Sequence, residues 1–273
     1  MKSGEVVSLK ALRERKHCKI LGYPRCEQEE LERRLKELER LGVQALEFTG
    51  EKSISDVPVL GKGCVGIVVV AYTKSGRVAL KIRRVDADRK GMSHEGEMLK
   101  RANAIDVGPK LLEISENFLL MELIEGSHFP EWIESLGERE GQSRVRLVLK
   151  DVLEQCYRLD GAGLDHGELS NAPKHIIVDA DDRPYLVDFE TASINRRVSN
   201  VTSVCQYLLL GSQIAKKVNE KLGKVDENQL IQKLRSYKRE RTRENFEKLV
   251  KIIVTEKHKT RIAFCGKLGF SKN

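Results

Sequence analysis

The spacing of apolar residues along this chain changes character twice. Between residues 27 and 41 they recur at Leu31, Leu35, Leu38 and Leu41, a helical stripe that Gly42 stops. The opposite face mixes Glu, Arg and Lys, which suits a surface helix packed on a core and lacks the heptads of a coiled coil. Short β-like runs follow at 43–48, 57–60, 67–72 and 78–83, with Lys74-Ser75-Gly76 as the turn between the last two. A helical stretch at 92–104 interrupts them, and 110–114 and 118–124 return to the strand pattern. From Pro130 the chain turns helical, at 145–159, 201–210, 227–237 and 243–254, with a loop–strand–turn–strand unit at 165–188. The pattern predicts an α+β protein. A helical extension (1–50) precedes a β-rich part with one main helix (51–125). A mostly helical part (126–212) and a basic helical C-terminal part (213–273) follow.

Composition narrows this picture. With 273 residues, 40% hydrophobic and 33% charged, the chain reads as a charge-rich globular protein with room for a substantial core. No apolar run approaches the ~20 residues of a membrane helix, and the basic start lacks an apolar h-region, which predicts that it does not act as a secretory signal. The six cysteines are scattered without a Cys-x-x-Cys pair, which predicts reduced thiols and a cytoplasmic location. The net charge of +8 is uneven: residues 215–273 hold 17 Lys/Arg against 7 Asp/Glu, or +10, so the first 214 residues sum to −2. Such a segment suits an anionic partner, with RNA or a ribonucleoprotein first in line; a solvated helical face without a partner is the alternative. Tyr237, Phe246 and Phe264 would supply aromatic surface there if they are not core.

The chemistry begins at Gly61-Lys62-Gly63-Cys64-Val65-Gly66. Glycines in this pattern open a helix in dinucleotide-binding folds, but here they lead into Ile67-Val68-Val69-Val70-Ala71-Tyr72, a strand sequence. They therefore join two strands in a hairpin whose amides can cover phosphates. The Gly-Lys-Ser/Thr of a P-loop is absent. Lys81 follows inside an apolar strand, Val78-Ala79-Leu80-Lys81-Ile82, and Glu95 and Glu97 both stand on the next helix as carboxylate partners. Downstream lie Phe118-Leu119-Leu120-Met121-Glu122-Leu123-Ile124-Glu125-Gly126, then Asp165-His166-Gly167-Glu168, then Leu186-Val187-Asp188-Phe189-Glu190. Cys64 is exposed to alkylation if the hairpin is open, and otherwise is an inert small residue.

In this order the segments resemble the eukaryotic-type protein kinase superfamily over residues 57–210. The resemblance is nearest its minimal RIO-type and KEOPS-associated branch and a group of archaeal predicted serine/threonine protein kinases. It implies a bilobal fold, ATP with Mg2+, and phosphoryl transfer to a protein Ser/Thr hydroxyl. It implies that Leu60, Gly61, Gly63, Gly66 and Val68 cover the nucleotide, that Ala79, Met121 and Ile177 line the adenine site, and that the Glu122 carbonyl and Ile124 amide bond the purine edge. Lys81 would hold the α- and β-phosphates, fixed by Glu95, the better placed of the two glutamates because Leu99 follows four residues on. Asp188 would bind the metal, and Phe189 would pack against the Glu95 helix.

The resemblance bends at the catalytic loop. Glu168 stands where the family carries aspartate, its carboxylate one methylene further out, and the loop is two residues longer. Glu168 is the expected general base. The second metal ligand is ambiguous: counting back from Ile176-Ile177-Val178 gives His175, counting forward from Glu168 gives Pro173, and Asn171 lies near enough to bend in. Hard oxygen favours Asn171 over an imidazole for Mg2+. Lys174 or Ser170 would then reach the γ-phosphate. His166, Glu168 and His175 also offer transition-metal donors, although His166 fits a buried brace better. Glu190 replaces the family's glycine after Asp188-Phe189, which predicts a segment held in one state. The sequence has no Ala-Pro-Glu triplet after Leu210. Two further readings stay open: a nucleotide-binding ATPase or pseudokinase, and a small-molecule or RNA-associated phosphotransferase.

Overall fold

The computed structural model describes residues 4–88, 91–137, 141–223 and 225–254. The elements run β1 (Glu5–Ser8), α1 (Arg15–Leu21), α2 (Gln28–Arg40), β2 (Ala45–Phe48), β3 (Lys52–Ile54), β4 (Val57–Val59), β5 (Gly61–Lys62), β6 (Gly66–Thr73), β7 (Gly76–Arg83) and α3 (Ser93–Asn103). They continue with β8 (Leu111–Ile114), β9 (Phe118–Met121), β10 (Gly126–His128), α4 (Phe129–Ser135), α5 (Gly141–Gly161), β11 (Ile176–Asp179), β12 (Pro184–Leu186), α6 (Asn200–Leu209), α7 (Gln213–Leu222), α8 (Glu227–Arg239) and α9 (Arg243–Val254). The protein is α+β, with an antiparallel main sheet in the order β1-β2-β6-β7-β9-β8 and β5 paired to the edge of β6.

Period-two alternation gives this sheet two faces with different jobs. Ile67 and Val69 of β6, Val78, Leu80 and Ile82 of β7, and Phe118 and Leu120 of β9 are buried against α1, α2 and β4 in one hydrophobic core. Their neighbours Gly66, Val68, Ala79, Lys81, Leu119 and Met121 point to the other face. Leu119 and Met121 there join a second core, built from α3 to α9 with β11 and β12.

Segment 1–50 carries strands as well as its helices. The run Glu5-Val6-Val7-Ser8 pairs with β2, and β2 pairs with β6, so this segment is part of the sheet. Arg34 of α2 fastens it further. Its fully buried guanidinium donates to the Leu21 carbonyl (2.6 Å), the Arg83 carbonyl (2.5 Å), Asn117 Oδ1 (3.0 Å) and Glu30 Oε1 (2.6 Å). The Arg83 contact lies two residues from Lys81, so α2 clamps the end of the strand that carries it.

Among the described residues, β1, β3, β10, α4 and α7 lie outside the runs the sequence pattern predicts. The helix predicted at 145–159 extends over Gly141–Gly161, and the strand predicted at 118–124 ends at Met121. In the C-terminal part, Tyr237 and Phe246 are buried at 1% and 0% exposure, so neither offers aromatic surface to a nucleic acid. Phe264 and the rest of 255–273, with part of the basic excess, lie outside the described residues. Among the described residues no helix is long and apolar enough to cross a membrane.

Candidate active site around Lys81

The glycine-rich segment forms the expected hairpin. Gly61 pairs with Val68 and Lys62 with Ile67, and the Gly63 amide donates to the Gly66 carbonyl at 2.8 Å to close the turn. Gly66 is required by proximity: a Cβ there would lie 2.9 Å from Lys81 Cε and 3.0 Å from its Cγ. The lysine stem thus runs directly across Gly66. Arg84 braces the hairpin from behind, its Nη1 donating to the Gly63 carbonyl (3.0 Å) and its amide to the Val65 carbonyl (2.8 Å). Tyr23 completes that support, with Lys62 Nζ 4.8 Å and the Arg84 guanidinium 4.9 Å from its ring centroid. Leu60 is tied in by its amide, which donates to Val68. Cys64 is exposed at the tip.

Lys81 is the centre of charge. Its Nζ lies 2.8 Å from Glu95 Oε1, 2.8 Å from Asp188 Oδ1 and 3.1 Å from Glu190 Oε2. Burial opposes the ammonium charge, but Glu95, Asp188 and Glu190 outweigh it and raise the lysine pKa well above its ordinary value. Burial pushes the Glu95 carboxyl up despite Lys81, whereas Asp188, also penalised by burial, is pulled below its ordinary value by the same ammonium. Glu97 turns outward to pair with Arg101, so α3 presents Glu95 alone to the lysine. The carboxylate oxygens of Glu95, Asp188 and Glu190 all lie within 4.8 Å of one another, the one metal-capable group among the described residues. Asp188 adopts φ = 69°, a left-handed backbone that costs about 1 kcal/mol for a non-glycine residue and recurs at functional sites.

The loop before β11 brings Glu168 and His175 together. His175 Nε2 is 2.8 Å from Glu168 Oε2 and 3.9 Å from Asp188 Oδ2. A single turn at Leu169–Asn171 leaves Asn171 exposed, and His175 faces the acidic centre. His175, the residue given by the backward count, thus comes near Asp188, while Asn171 is exposed on the turn. His166, Glu168 and His175 do not converge as a ligand set. His166 is a fully buried brace: its Nε2 contacts the Val187 carbonyl at 3.1 Å, and its ring packs 4.9 Å from Phe189. Burial, with His175 nearby, lowers its pKa to about 4.

The remaining nominated residues line the same face. Ala79 lies opposite Met121 in the β7–β9 register, and Val68 opposite Lys81 in β6–β7. Past β9 the Glu122 amide is used by the Lys110 carbonyl (2.8 Å), whereas the Ile124 amide and Glu122 carbonyl have no hydrogen-bond partner among the described residues. Ile177 sits mid-β11, paired with His128 and Tyr185. Phe189 is buried in the core that holds Met98 and Leu99 of α3. His94 ties α3 to the segment after Asp188 through a 2.9 Å contact with the Ala192 carbonyl.

Three features escaped sequence reasoning: the Glu190–Lys81 contact, the His175–Glu168 pair, and Tyr23 behind the hairpin. Only Glu190 left a signal, as a charged residue where the resemblance expects glycine. No protein-family profile matches the chain. The chain is similar to an uncharacterized protein of Methanocaldococcus jannaschii, 27% identical over 121 residues that make up 44% of this chain and 99% of that protein.

Proposed function

We propose that this chain is an ATP- and Mg2+-dependent phosphotransferase of bilobal, protein-kinase-like fold that moves the γ-phosphate to a Ser/Thr hydroxyl of a protein. The observation that carries this reading is the Lys81 centre, where a strand lysine meets a helix glutamate and a loop aspartate at 2.8 Å each beneath a glycine hairpin. Phosphoryl transfer asks mainly for positioning and charge stabilisation, and these parts supply both.

In this reading the hairpin amides of 61–66 cover the phosphates and Lys81 holds the α- and β-phosphates, its ammonium oriented by Glu95. The adenine lies between Val68 and Ala79 on one side and Ile177 on the other, against Met121, with the free Glu122 carbonyl and Ile124 amide at its edge. Mg2+ prefers hard oxygen donors, and the half-exposed Asp188 carboxylate with Glu190 beside it fits that demand. Asp188 would hold the ion, with His175 close by, and the bound ion would offset charge on the β- and γ-phosphates. The acceptor oxygen attacks the γ-phosphorus, its proton passes to the Glu168 carboxylate, and the bond to the β,γ-bridging oxygen breaks to release ADP. His175 fixes the longer glutamate side chain at 2.8 Å.

That same pair supports a second reading, a nucleotide-binding protein with slow transfer, because an imidazole already engages the base. Calorimetric titration with ATP, with and without MgCl2, tests the shared premise. The wild type binds only with Mg2+, and Lys81→Ala weakens binding at least about tenfold. Equal binding by both proteins contradicts it.

A further inference from the structure

Tyr237 belongs to α8, in the basic C-terminal part, yet a continuous chain of buried hydrogen bonds joins it to the loop that carries Glu168. Its hydroxyl donates to Asp160 Oδ2 at 2.9 Å, near the end of α5. Asp160 Oδ1 accepts from both the amide and the side-chain Nδ2 of Asn200, each at 2.9 Å, where α6 begins. Asn200 Nδ2 also donates to the Leu164 carbonyl (2.8 Å), and its Oδ1 accepts the His166 amide (2.8 Å). His166 in turn contacts Val187, the residue before Asp188. Tyr237, Asn200 and His166 are at most 1% exposed and Asp160 is 7% exposed, so water does not replace these bonds.

The ring of Tyr237 is held independently of its hydroxyl, 6.3 Å from Tyr157 and 6.2 Å from Phe246. Burial, with Asp160 beside it, pushes the phenol pKa up, so the hydroxyl stays protonated and remains the donor. Without that donor, Asp160 Oδ2 keeps only a long 3.4 Å contact from the Val201 amide. The carboxylate then keeps its Oδ1 bonds to Asn200 but loses the short bond that seats Oδ2, which loosens the support of Asn200 beneath the His166 amide.

We propose that Tyr237 is a positioning residue for the 165–168 loop, acting through Asp160 and Asn200 on the backbone two residues before Glu168. This rests on the phosphotransfer reading, and it gives α8 a role inside the molecule. Small displacements matter there because positioning dominates the reaction.

Tyr237→Phe removes one oxygen and keeps the ring, and Asp160→Asn breaks the same chain one step closer to the loop. Amide hydrogen exchange of nucleotide-free protein is measured by mass spectrometry, alongside kcat and KM for ATP. In both variants, exchange over 164–168 accelerates about tenfold while β7 is unchanged, and kcat falls about tenfold with KM for ATP within about twofold. Unchanged exchange in the loop overturns the proposal. So does acceleration spread evenly over the molecule, the mark of a merely structural residue. If the wild type transfers no phosphate the phosphotransfer reading fails, and the exchange arm still decides whether Tyr237 positions the loop.

Discussion

Lys81 Nζ and Asp188 Oδ1 lie 2.8 Å apart although 107 residues separate them in the chain. One comes from the inner face of the main sheet, whose other face is filled by the core that α1 and α2 build. The other follows β12, which packs in the second core. The contact bridges the two cores at the place where the glycine hairpin overhangs, and the lysine's three carboxylates leave the centre with an excess of negative charge. In the proposed function, a cation accompanying the nucleotide would answer that excess.

The first prediction concerns Gly66. A methyl group there meets the Lys81 stem at 2.9 Å, so Gly66→Ala displaces the ammonium while preserving every charged group. ATP affinity falls about tenfold with little change in thermal stability. Paired calorimetric and melting measurements check it, and unchanged affinity would show that Lys81 does not reach the nucleotide.

Glu168 and His175 act as a pair in this account. Glu168→Gln removes the proton acceptor and lowers kcat about 100-fold or more, leaving nucleotide binding intact. His175→Asn frees the glutamate and has a smaller effect on kcat, about tenfold. Steady-state kinetics on both variants separates base from positioner; full activity of Glu168→Gln would remove it from the mechanism.

Tyr23 supports the hairpin through its ring face, since Lys62 and Arg84 both lie under 5 Å from the centroid. Each exposed cation–π contact contributes about 0.5–1 kcal/mol. Tyr23→Ala therefore raises KM for ATP about two- to fivefold, whereas Tyr23→Phe stays within about twofold. Equal effects of the two substitutions would place the support elsewhere.

His166 supplies a pH prediction. Its pKa is lowered from 6.5 to about 4 by burial, so the unfolded chain binds more protons between those values. Its contribution to stability is complete above pH 6.5 and is lost as pH falls toward about 4, on the order of 3 kcal/mol. Glu95, whose pKa is raised by burial, works in the opposite sense: its share is present below its ordinary 4.5 and lost as pH rises through its folded value. Imidazole NMR isolates the histidine, whose ring stays neutral to about pH 4; titration near 6.5 would contradict its burial.

What was legible in the sequence had local causes. Period and the Lys74-Ser75-Gly76 turn placed β6, β7 and α3, and the kinase resemblance then paired Lys81 with Glu95. Asp188 could be nominated only through the resemblance carried by Leu186-Val187-Asp188-Phe189-Glu190. The strand Glu5–Ser8 was hidden because four residues carry no reliable period and its pairing with β2 crosses some forty residues of chain. Where Asn171 and His175 lie depends on one loop turn at Leu169–Asn171, whose geometry no count of residues supplies. Tyr237 read more readily as core than as surface aromatic, but its hydroxyl partner was hidden because Asp160 lies 77 residues away.

The central claim is transfer of the γ-phosphate through the Lys81–Asp188 centre. Its most direct test is incubation of purified wild type and Asp188→Asn with γ-labelled ATP, Mg2+ and a generic Ser/Thr protein acceptor, scoring label on protein. The account predicts phosphoserine or phosphothreonine formed by the wild type and a loss of about 100-fold or more in Asp188→Asn, with the variant still folded. Equal label from the two proteins, or none from a wild type that binds Mg·ATP, would contradict it.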